Sequence, residues 1–312
     1  MNIIILGAAG FIGTNLVKKL AEEEQNRITL VDANENFFED IRKLKLQNIN
    51  IIISQLDENA DYVSLLKNQD VVYHLVSTTV PTTSNQQVSK ELVKNVVMTS
   101  VMLEACVTCD VKKVVFISSG GTVYGREANC PLKEDTATNP ITSYGIQKVT
   151  IEKLLYLYHH MHGLDYRVIR LANPYGPYQR PNGILGAVTT FTYKALINEK
   201  VIVYGDGTVV RDFIYIDDAI KAIDNIVNKP GTHRTYNLGS GYGTSINDVL
   251  NSVQNTLDCQ MDIEYREARQ VDVPINYLDI SRYENDYGAL QPISLEEGIM
   301  KTANFMKKYY KL

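Results

Sequence analysis

The sequence is poor in cysteine and has neither a long apolar segment nor a long basic one. Four cysteines in 312 residues are too few for a disulfide framework. No apolar run approaches the ~18–20 residues that a membrane-spanning helix needs. With a net charge of −5, nothing indicates a nucleic acid or an anionic membrane as a partner. The first predicted strand begins at residue 2, with no signal peptide before it, so we expect a cytoplasmic protein.

Two of the cysteines, Cys106 and Cys109, form a C-x-x-C motif, which can serve redox chemistry or metal binding. No second pair and no nearby histidine accompanies this motif in the sequence. Cys106 continues the apolar stripe of a predicted helix, so we interpret it as a small core residue. We therefore predict no metal site.

What the chain does contain is a regular alternation of short β-rich segments and helical patterns through its first 170 residues. The predicted strands are nearly continuously apolar and span residues 3–6, 28–31, 49–53, 71–76, 114–117 and 167–171. Between strands, apolar residues recur at helical spacing, as in Ile12, Leu16 and Leu20. This alternation predicts a Rossmann-type α/β fold with a doubly wound parallel sheet whose strands are buried on both faces.

A glycine-rich turn follows the first predicted strand and places Gly7, Gly10 and Gly13 before a helix. Gly7 permits a tight turn, Gly10 lets the backbone approach a pyrophosphate, and Gly13 lets the helix pack on the strand. The helix N-terminus then offers free N–H groups to an anion. Asp32 ends the second strand, where a carboxylate accepts from the ribose 2′-hydroxyl and repels a 2′-phosphate. The pattern predicts NAD rather than NADP; the alternative is that the glycines serve packing alone.

The character of the sequence changes after Leu171, where a loop rich in proline, glycine and tyrosine begins. We predict an NAD-binding domain over residues 1–172 and a smaller α/β substrate domain over residues 173–312. A strand near 235–239 is expected to return to the first domain. The segment V-I-V-Y-G-D-G-T-V-V (201–210) predicts a hairpin, because D-G is a turn signal.

Tyr144 and Lys148 are one helical turn apart, so they share one face of a predicted helix. A nearby ammonium and a positive nicotinamide favour the phenolate, so we expect a lowered tyrosine pKa and a general base. The pair is meaningful because it follows a strand that ends in Ser118 and Ser119 within a dinucleotide-binding fold.

The sequence resembles the extended short-chain dehydrogenases/reductases, in the nucleotide-sugar epimerase/dehydratase branch. Within that branch it is most similar to the UDP-glucose 4-epimerase group. The resemblance covers nearly the whole chain and is carried by G-A-A-G-F-I-G (7–13), H-L-V-S (74–77), S-S-G-G-T-V-Y-G (118–125), Y-G-I-Q-K (144–148), N-P-Y-G-P (173–177) and V-R-D-F-I-Y-I-D-D (210–218). It implies that Tyr144 is the acid/base and that Lys148 holds the nicotinamide ribose. It also implies a homodimer that pairs helices around 86–109 and 144–161.

The resemblance further implies the binding residues. Beyond the glycines and Asp32, those for NAD are Phe11, Ile12, Gln55, Leu56, Leu75, Val76, Ser77, Asn95 and Ser118. For the UDP-sugar, Asn173, Arg211 and Arg269 match residues that contact the diphosphate, and guanidinium groups suit that role because they bind phosphate oxygens in pairs. For Arg211 and Arg269 the alternative is a solvated surface charge. His74 matches a structural strand position near the cofactor.

One position departs from the family pattern. The catalytic Ser or Thr of the family falls on Gly120, so the relay between the tyrosine and the sugar hydroxyl is in doubt. Thr122 would point to the same side if the segment is extended. We favour Thr122 as the substitute hydroxyl over Ser118 and Ser119, or else direct contact between Tyr144 and the substrate.

The same stretch bears on the reaction. Dehydratases of this branch carry an Asp-Glu pair where this chain has Gly121 and Thr122, and decarboxylating relatives carry Glu at position 122. Without these carboxylates, the site suits a 4-epimerase acting on a UDP-hexose or UDP-N-acetylhexosamine through a 4-keto intermediate. Asn276 aligns with a gating tyrosine and, being smaller, suggests room for an N-acetyl group. The alternatives are a nucleotide-sugar 4-ketoreductase or dehydrogenase with net redox change, and a non-catalytic NAD-sensing scaffold.

Overall fold

A seven-stranded parallel sheet forms the centre of the protein, seen here in a computed structural model. The structure describes residues 1–79, 81, 84–126, 128–181, 186–268 and 273–312. The strands are β1 Asn2–Leu6, β2 Arg27–Asp32, β3 Ile49–Ile53, β4 Val71–His74, β5 Lys113–Ser119, β6 Asp165–Leu171, β7 Asn173–Tyr175, β8 Val201–Tyr204, β9 Val210–Arg211, β10 Phe213–Tyr215, β11 Thr235–Leu238, β12 Thr244–Ser245, β13 Ile263–Arg266 and β14 Ile275–Asn276. The central sheet runs in the order β11-β6-β5-β4-β1-β2-β3, so the order reverses between β1 and β4.

Helices cover both faces of this sheet. The α-helices are α1 Phe11–Leu20, α2 Glu39–Lys43, α3 Tyr62–Leu66, α4 Val88–Leu92, α5 Met98–Thr108, α6 Ser143–His162, α7 Ala187–Leu196, α8 Ile216–Asn228, α9 Ile246–Leu257, α10 Ser281–Tyr287 and α11 Leu295–Tyr310. A 3-10 turn spans Glu35–Phe38, and a π-helical turn, Val93–Val97, joins α4 to α5. Within the described ranges, no helix is long and apolar enough to cross a membrane.

The alternation of side chains along β1 builds two hydrophobic cores. Ile3 and Ile5 pack into a core with α1 and α8, whereas Ile4 and Leu6 pack into a second core with α5 and α6. Successive strand residues point to opposite faces of a sheet, so a strand between two helical layers must be apolar throughout. The predicted doubly wound sheet is confirmed, including the return of β11, which pairs with β6.

The predicted hairpin at 201–210 is wrong. Gly205 and Gly207 do form a turn, with φ of 83° and 79°. However, β8 pairs with β13, and β9 pairs with β12 and β14. The two arms of the turn therefore join different small sheets, while the division into two domains at residue 172 stays a prediction.

Helix α6 sets the position of the predicted acid/base pair. Its N-cap is Thr142, whose hydroxyl accepts a hydrogen bond from Gly145 N at 3.1 Å, and the helix ends at Gly163 with φ of 72°. An N-cap hydroxyl satisfies one of the free N–H groups of the first turn, and a left-handed glycine stops the helix. Tyr144 and Lys148 thus occupy its first two turns.

Candidate active site

A cavity of about 770 Å³ opens beside the carboxyl ends of β1, β2, β3 and β4. In doubly wound sheets this edge, at the point where the strand order reverses, is where ligands bind. Of the residues predicted to bind the cofactor, those that line the cavity are Gly7, Gly10, Phe11, Asp32, Gln55, Leu56, Leu75, Val76 and Ser77.

The three glycines of the first turn differ in what surrounds them. Gly7 has φ of 82°, and a Cβ there would lie 3.0 Å from Val76 N. A Cβ on Gly13 would lie 2.3 Å from the carbonyl oxygen of Ala8, so only glycine lets α1 pack this closely. A Cβ on Gly10 would meet only Gly7 O, at 3.6 Å, so its free side adjoins the cavity. This opening at the N-terminus of α1 fits a pyrophosphate.

Asp32 fits the ribose of the same cofactor. Its Oδ2 accepts from Ala9 N at 3.0 Å and its Oδ1 from Ala33 N at 2.8 Å, which fixes the carboxylate at the cavity wall. Each carboxylate oxygen has a further lone pair for a ribose hydroxyl. Its negative charge opposes a 2′-phosphate at this position. The residues present therefore fit NAD.

Other predicted cofactor residues have packing or positioning roles in the described structure. Ile12 packs against the first core, and Gly13 serves the packing of α1. Asn95 is buried and links Thr78 N, at 2.9 Å, to Gln147 Oε1, at 2.8 Å. It thereby ties the cavity wall to α6, between Tyr144 and Lys148.

Lys148 is buried, with its ammonium held at the carboxyl end of β5. Its Nζ donates to Ile117 O at 2.8 Å and lies 4.6 Å from the ring centroid of Phe116 and 5.4 Å from that of Tyr144. Burial lowers the pKa of Lys148 to about 8, and the carboxylate of Glu152, one turn further along α6, opposes that shift. The predicted pair is therefore brought together, with the ammonium against the tyrosine ring.

Burial opposes the predicted lowering of the tyrosine pKa, which also depends on a bound nicotinamide and stays a prediction. Tyr144 is half-buried, and burial raises the pKa of its hydroxyl to about 12. Burial disfavours the phenolate, and the Lys148 ammonium, already bonded to Ile117 O, does not offset this cost. Deprotonation of Tyr144 therefore needs a further positive charge nearby.

One turn beyond Lys148 in α6, Glu152 belongs to a buried polar network. The Arg170 guanidinium bonds both carboxylate oxygens of Glu152, with Nη2 to Oε2 at 2.7 Å, and its Nη1 donates to the hydroxyl oxygen of Tyr124 at 3.0 Å. Ser118 Oγ donates to Glu152 Oε1 at 2.5 Å, so its hydroxyl is part of this network. Tyr124 in turn donates to Asn237 Oδ1 at 2.5 Å, which joins the network to β11.

The glycine pair after β5 has unequal surroundings. A Cβ on Gly120 would lie 2.6 Å from Leu278 Cδ1 and 3.1 Å from Arg170 O, so the position of the family hydroxyl is filled. A Cβ on Gly121 would meet only Ser119 Oγ, at 3.9 Å. The terminal carbons of Leu278 therefore occupy the space beside Gly120.

Two hydroxyls near Gly120 remain as candidates. Residues 120–122 form a turn, so the condition of an extended segment, under which Thr122 would point to the same side as Gly120, is not met. Within the described residues, Thr122 Oγ1 is buried and reaches no hydrogen-bond partner. The backbone carbonyl oxygen of Thr122 would lie 2.8 Å from a Cβ on Gly145, the neighbour of Tyr144. Ser119, at the end of β5, is half-buried.

A second cavity, of about 580 Å³, lies among the smaller sheets and is lined by Asn173 and Arg211. The Asn173 side chain donates to Asp212 O at 2.9 Å, and Arg211 Nη1 donates to Val273 O at 2.5 Å. The predicted residue Arg269 lies outside the described residues. Sequence reasoning missed several aromatic and apolar residues of this cavity, among them Phe191, Val201 and Tyr204.

Asn276 connects the second cavity to the turn at Gly120. It is buried, pairs in register with Arg211 between β14 and β9, and its Nδ2 donates to Gly120 O at 3.3 Å. A short path of contacts thus runs from the arginine of the second cavity through Asn276 and Gly120 towards the first turn of α6.

The remaining candidates have structural roles. His74 is buried, its Nε2 lies 2.8 Å from Thr99 Oγ1, and burial together with Lys148 lowers its pKa to about 3. Cys106 is fully buried in the second core, and burial raises the pKa of its thiol. In the described part of the chain, no group of three or more His, Cys, Asp or Glu side chains is arranged to hold a metal ion.

Comparison with known proteins agrees with this geometry. Residues 3–239 match the NAD dependent epimerase/dehydratase family. The chain belongs to this family. Its cofactor is accordingly NAD, which fits the glycine turn and Asp32. The chain is similar to the "Putative UDP-glucose 4-epimerase" of Methanocaldococcus jannaschii, with 33% identity over 306 residues and 98% of both chains covered.

Two solved structures are also similar to this chain. One is the UDP-glucose 4-epimerase of Thermotoga maritima with UDP-glucose, at a TM-score of 0.92 and 31% identity, covering 99% of this chain and 100% of that one. The other is the UDP-N-acetylglucosamine 4-epimerase of Methanobrevibacter ruminantium in complex with UDP-N-acetylmuramic acid. It has a TM-score of 0.88 and 30% identity, and the match covers 99% of this chain and 98% of that one.

Proposed function

We propose that this protein is an NAD-dependent 4-epimerase of a UDP-hexose or UDP-N-acetylhexosamine. The observation that carries the proposal is the pair of Tyr144 and Lys148 at the start of α6, with a turn beside it that has no carboxylate. Gly121 and Thr122 stand where elimination or decarboxylation would need acidic side chains. The site is equipped to move one proton at a sugar hydroxyl and return it.

Tyr144 acts as the acid/base in this proposal. Its phenolate takes the proton of the sugar 4-hydroxyl as carbon 4 becomes planar, and gives it back after the sugar has presented its other face. When bound, NAD supplies a hydride acceptor and donor together with the positive charge of its oxidised ring. Lys148 holds its ammonium near the ring of Tyr144 and, in this proposal, bonds the ribose of the cofactor. The positive charges favour the phenolate against the cost of burial.

The second cavity is the proposed nucleotide site. Arg211 and Asn173 line it, and Arg269 is the proposed second arginine for the diphosphate. The half-exposed ring of Tyr204 beside the apolar strand β8 gives a surface suited to a flat base. A diphosphate held at one end leaves the hexose free to rotate, which inversion at carbon 4 requires.

Thr122 is the proposed substitute for the missing family hydroxyl. Ser118 is bonded to Glu152, and Leu278 fills the space beside Gly120, so neither position can supply it. The hydroxyl of Thr122 has no partner within the described residues and lies in the turn that contacts α6. Ser119 is the second candidate.

Asn276 supports acceptance of an N-acetylated sugar. It is a small side chain that lies against Gly120, and its strand partner is Arg211. A bulky side chain at this position would occupy space between the proposed diphosphate site and the acid/base. We therefore propose that UDP-N-acetylglucosamine is turned over as well as UDP-glucose.

A homodimer is part of the proposal. Exposed apolar side chains follow one face of α6, at Ile146, Leu157 and Met161, and continue on the adjoining π-helical turn at Val93 and Val97. Such a stripe on two neighbouring helices suits packing against the same helices of a second copy.

One experiment tests the proposed function. Purified protein is incubated without added cofactor with UDP-glucose, UDP-galactose and their N-acetyl analogues, and inversion at carbon 4 is followed by proton NMR. Interconversion of at least one pair without net NADH formation supports the epimerase. Turnover that consumes or produces one equivalent of reduced cofactor would instead identify a ketoreductase or dehydrogenase, and no turnover of any sugar would favour the scaffold.

A further inference from the structure

The C-terminal end of the chain forms part of the wall of the cofactor cavity. Besides residues near the glycine turn, the lining includes Phe305 and Tyr309 from the last turns of α11, and Tyr178 and Arg180 from the loop after β7. On the opposite side stand Asn36, Phe37 and Asp40, which follow Asp32 in the chain. Because Asp32 marks the ribose position, these two walls enclose the adenosine end of the cavity.

A hydrogen bond joins the two walls. The Tyr309 hydroxyl lies 2.7 Å from Asp40 Oδ1 and 2.8 Å from Oδ2, and it donates to this carboxylate. Lys43, on the same short helix as Asp40, places its Nζ 5.5 Å from the centre of the Tyr309 ring. The end of α11 is therefore fixed to α2, the element that immediately follows the ribose-binding carboxylate.

Aromatic packing supports the same closure. The rings of Phe305 and Tyr309 are stacked at 5.1 Å, and the ring of Tyr178 meets Phe305 edge-on at 4.9 Å. Tyr178 adopts φ of 69°, a left-handed conformation that costs free energy in a residue with a bulky side chain. The Arg180 guanidinium lies over the ring of Phe37, 5.5 Å from its centre.

We propose that the C-terminal helix completes the adenosine site of the bound dinucleotide, and that the Tyr309–Asp40 hydrogen bond holds this wall closed. Phe37, Phe305 and Tyr309 line the cavity where a purine base would lie, and the closed wall slows dissociation of the cofactor. An enzyme that returns its hydride to the same substrate gains from keeping its cofactor between turnovers. The inference rests on NAD as the cofactor and not on the identity of the sugar.

The experiment measures exchange of bound NAD in the full-length protein, with no sugar present. Protein loaded with NAD is mixed with excess NAD labelled in the adenine ring, and incorporation of label is followed by rapid gel filtration. Tyr309→Phe removes only the hydroxyl and is expected to speed exchange about fivefold, as for loss of one solvent-exposed hydrogen bond of ordinary strength. Tyr309→Ala also removes the ring and should speed exchange by about tenfold or more.

Two further variants make the test specific. Asp40→Ala should speed exchange, and the double variant with Tyr309→Phe should be no faster than the faster single variant, because both changes break one interaction. The matched control is Tyr265→Phe, which removes a hydroxyl bonded to Asn247 at 3.2 Å on the exposed strand β13 and should exchange as the wild type does.

Wild-type exchange in both Tyr309 variants would overturn the proposal. So would equal acceleration by Tyr265→Phe, or fully multiplicative effects of Asp40→Ala and Tyr309→Phe. Because no sugar is present, failure of the epimerase assay would leave this result unaffected, and the two proposals can fail separately.

Discussion

Adding a single methyl group at Gly120 should destabilise the protein, while the same change at Gly121 should not. The Cβ of Gly120→Ala would lie 2.6 and 3.0 Å from the two terminal carbons of Leu278 and 3.1 Å from Arg170 O. Overpacking of this kind costs about 1–3 kcal/mol. Neither glycine has a positive φ, so alanine also stabilises by about 0.4–1 kcal/mol through the unfolded chain. The net expected cost at Gly120 is about 0.5–2 kcal/mol.

Gly121→Ala is the matched control, because its Cβ would meet only Ser119 Oγ at 3.9 Å. It should be neutral or stabilising by up to about 1 kcal/mol. The assay is urea unfolding followed by far-UV circular dichroism, compared at unchanged m-value. In a Leu278→Ala background the cost of Gly120→Ala should fall, because the closest atoms are gone. Equal stability of the two alanine variants, or the same cost in both backgrounds, would refute the account of Leu278.

Three other predictions follow from the site. In urea titrations, the difference in unfolding free energy between wild type and Lys148→Met should change by up to about 3 kcal/mol in favour of wild type as pH rises from about 8 to 10.5. The reason is that the unfolded chain binds more protons than the folded one in that window. A difference that does not change with pH would contradict the burial of a charged Lys148. Glu152→Gln leaves Arg170 buried without its carboxylate and should lower the free energy of unfolding by about 3–5 kcal/mol. The double variant Glu152→Gln with Arg170→Met should lose less stability than Glu152→Gln alone. A more destabilised double variant would argue against the ion pair. Thr122→Val should lower kcat by about 100-fold with little change in KM, and Ser119→Ala should have the smaller effect; the reverse order would assign the hydroxyl to Ser119.

The central sheet could be predicted from the sequence because its signals are local. Ile3, Ile4, Ile5 and Leu6 are all apolar, and only a strand covered on both faces requires this. The pairing of β8 and β9 could not be predicted in the same way. The D-G turn is present, but the partners of its arms are β13, β12 and β14, which lie 34 or more residues further along the chain. Long-range pairing leaves no periodic signal in the strand itself.

In the candidate site, too, features that depend on nearby residues could be predicted and those that depend on distant residues could not. The glycine turn and Asp32 belong to one short strand-helix-strand unit, so their spacing identified the cofactor cavity. Tyr309 and Asp40 are 269 residues apart, and no spacing rule connects them. The role of Gly120 was also hidden, because its cause is the side chain of Leu278 on a different segment. The burial that raises the pKa of Tyr144 could not be predicted either, because the sequence indicates neighbours along a helix but not how deeply a hydroxyl is buried.

The most direct test of the central claim is the turnover number of Tyr144→Phe, measured by NMR as inversion at carbon 4 in protein purified with its NAD. The variant keeps the ring against the Lys148 ammonium and loses only the hydroxyl. We expect NAD content equal to wild type and a fall in kcat of about 100- to 10,000-fold. Wild-type turnover by Tyr144→Phe would show that another group moves the proton and would contradict the account.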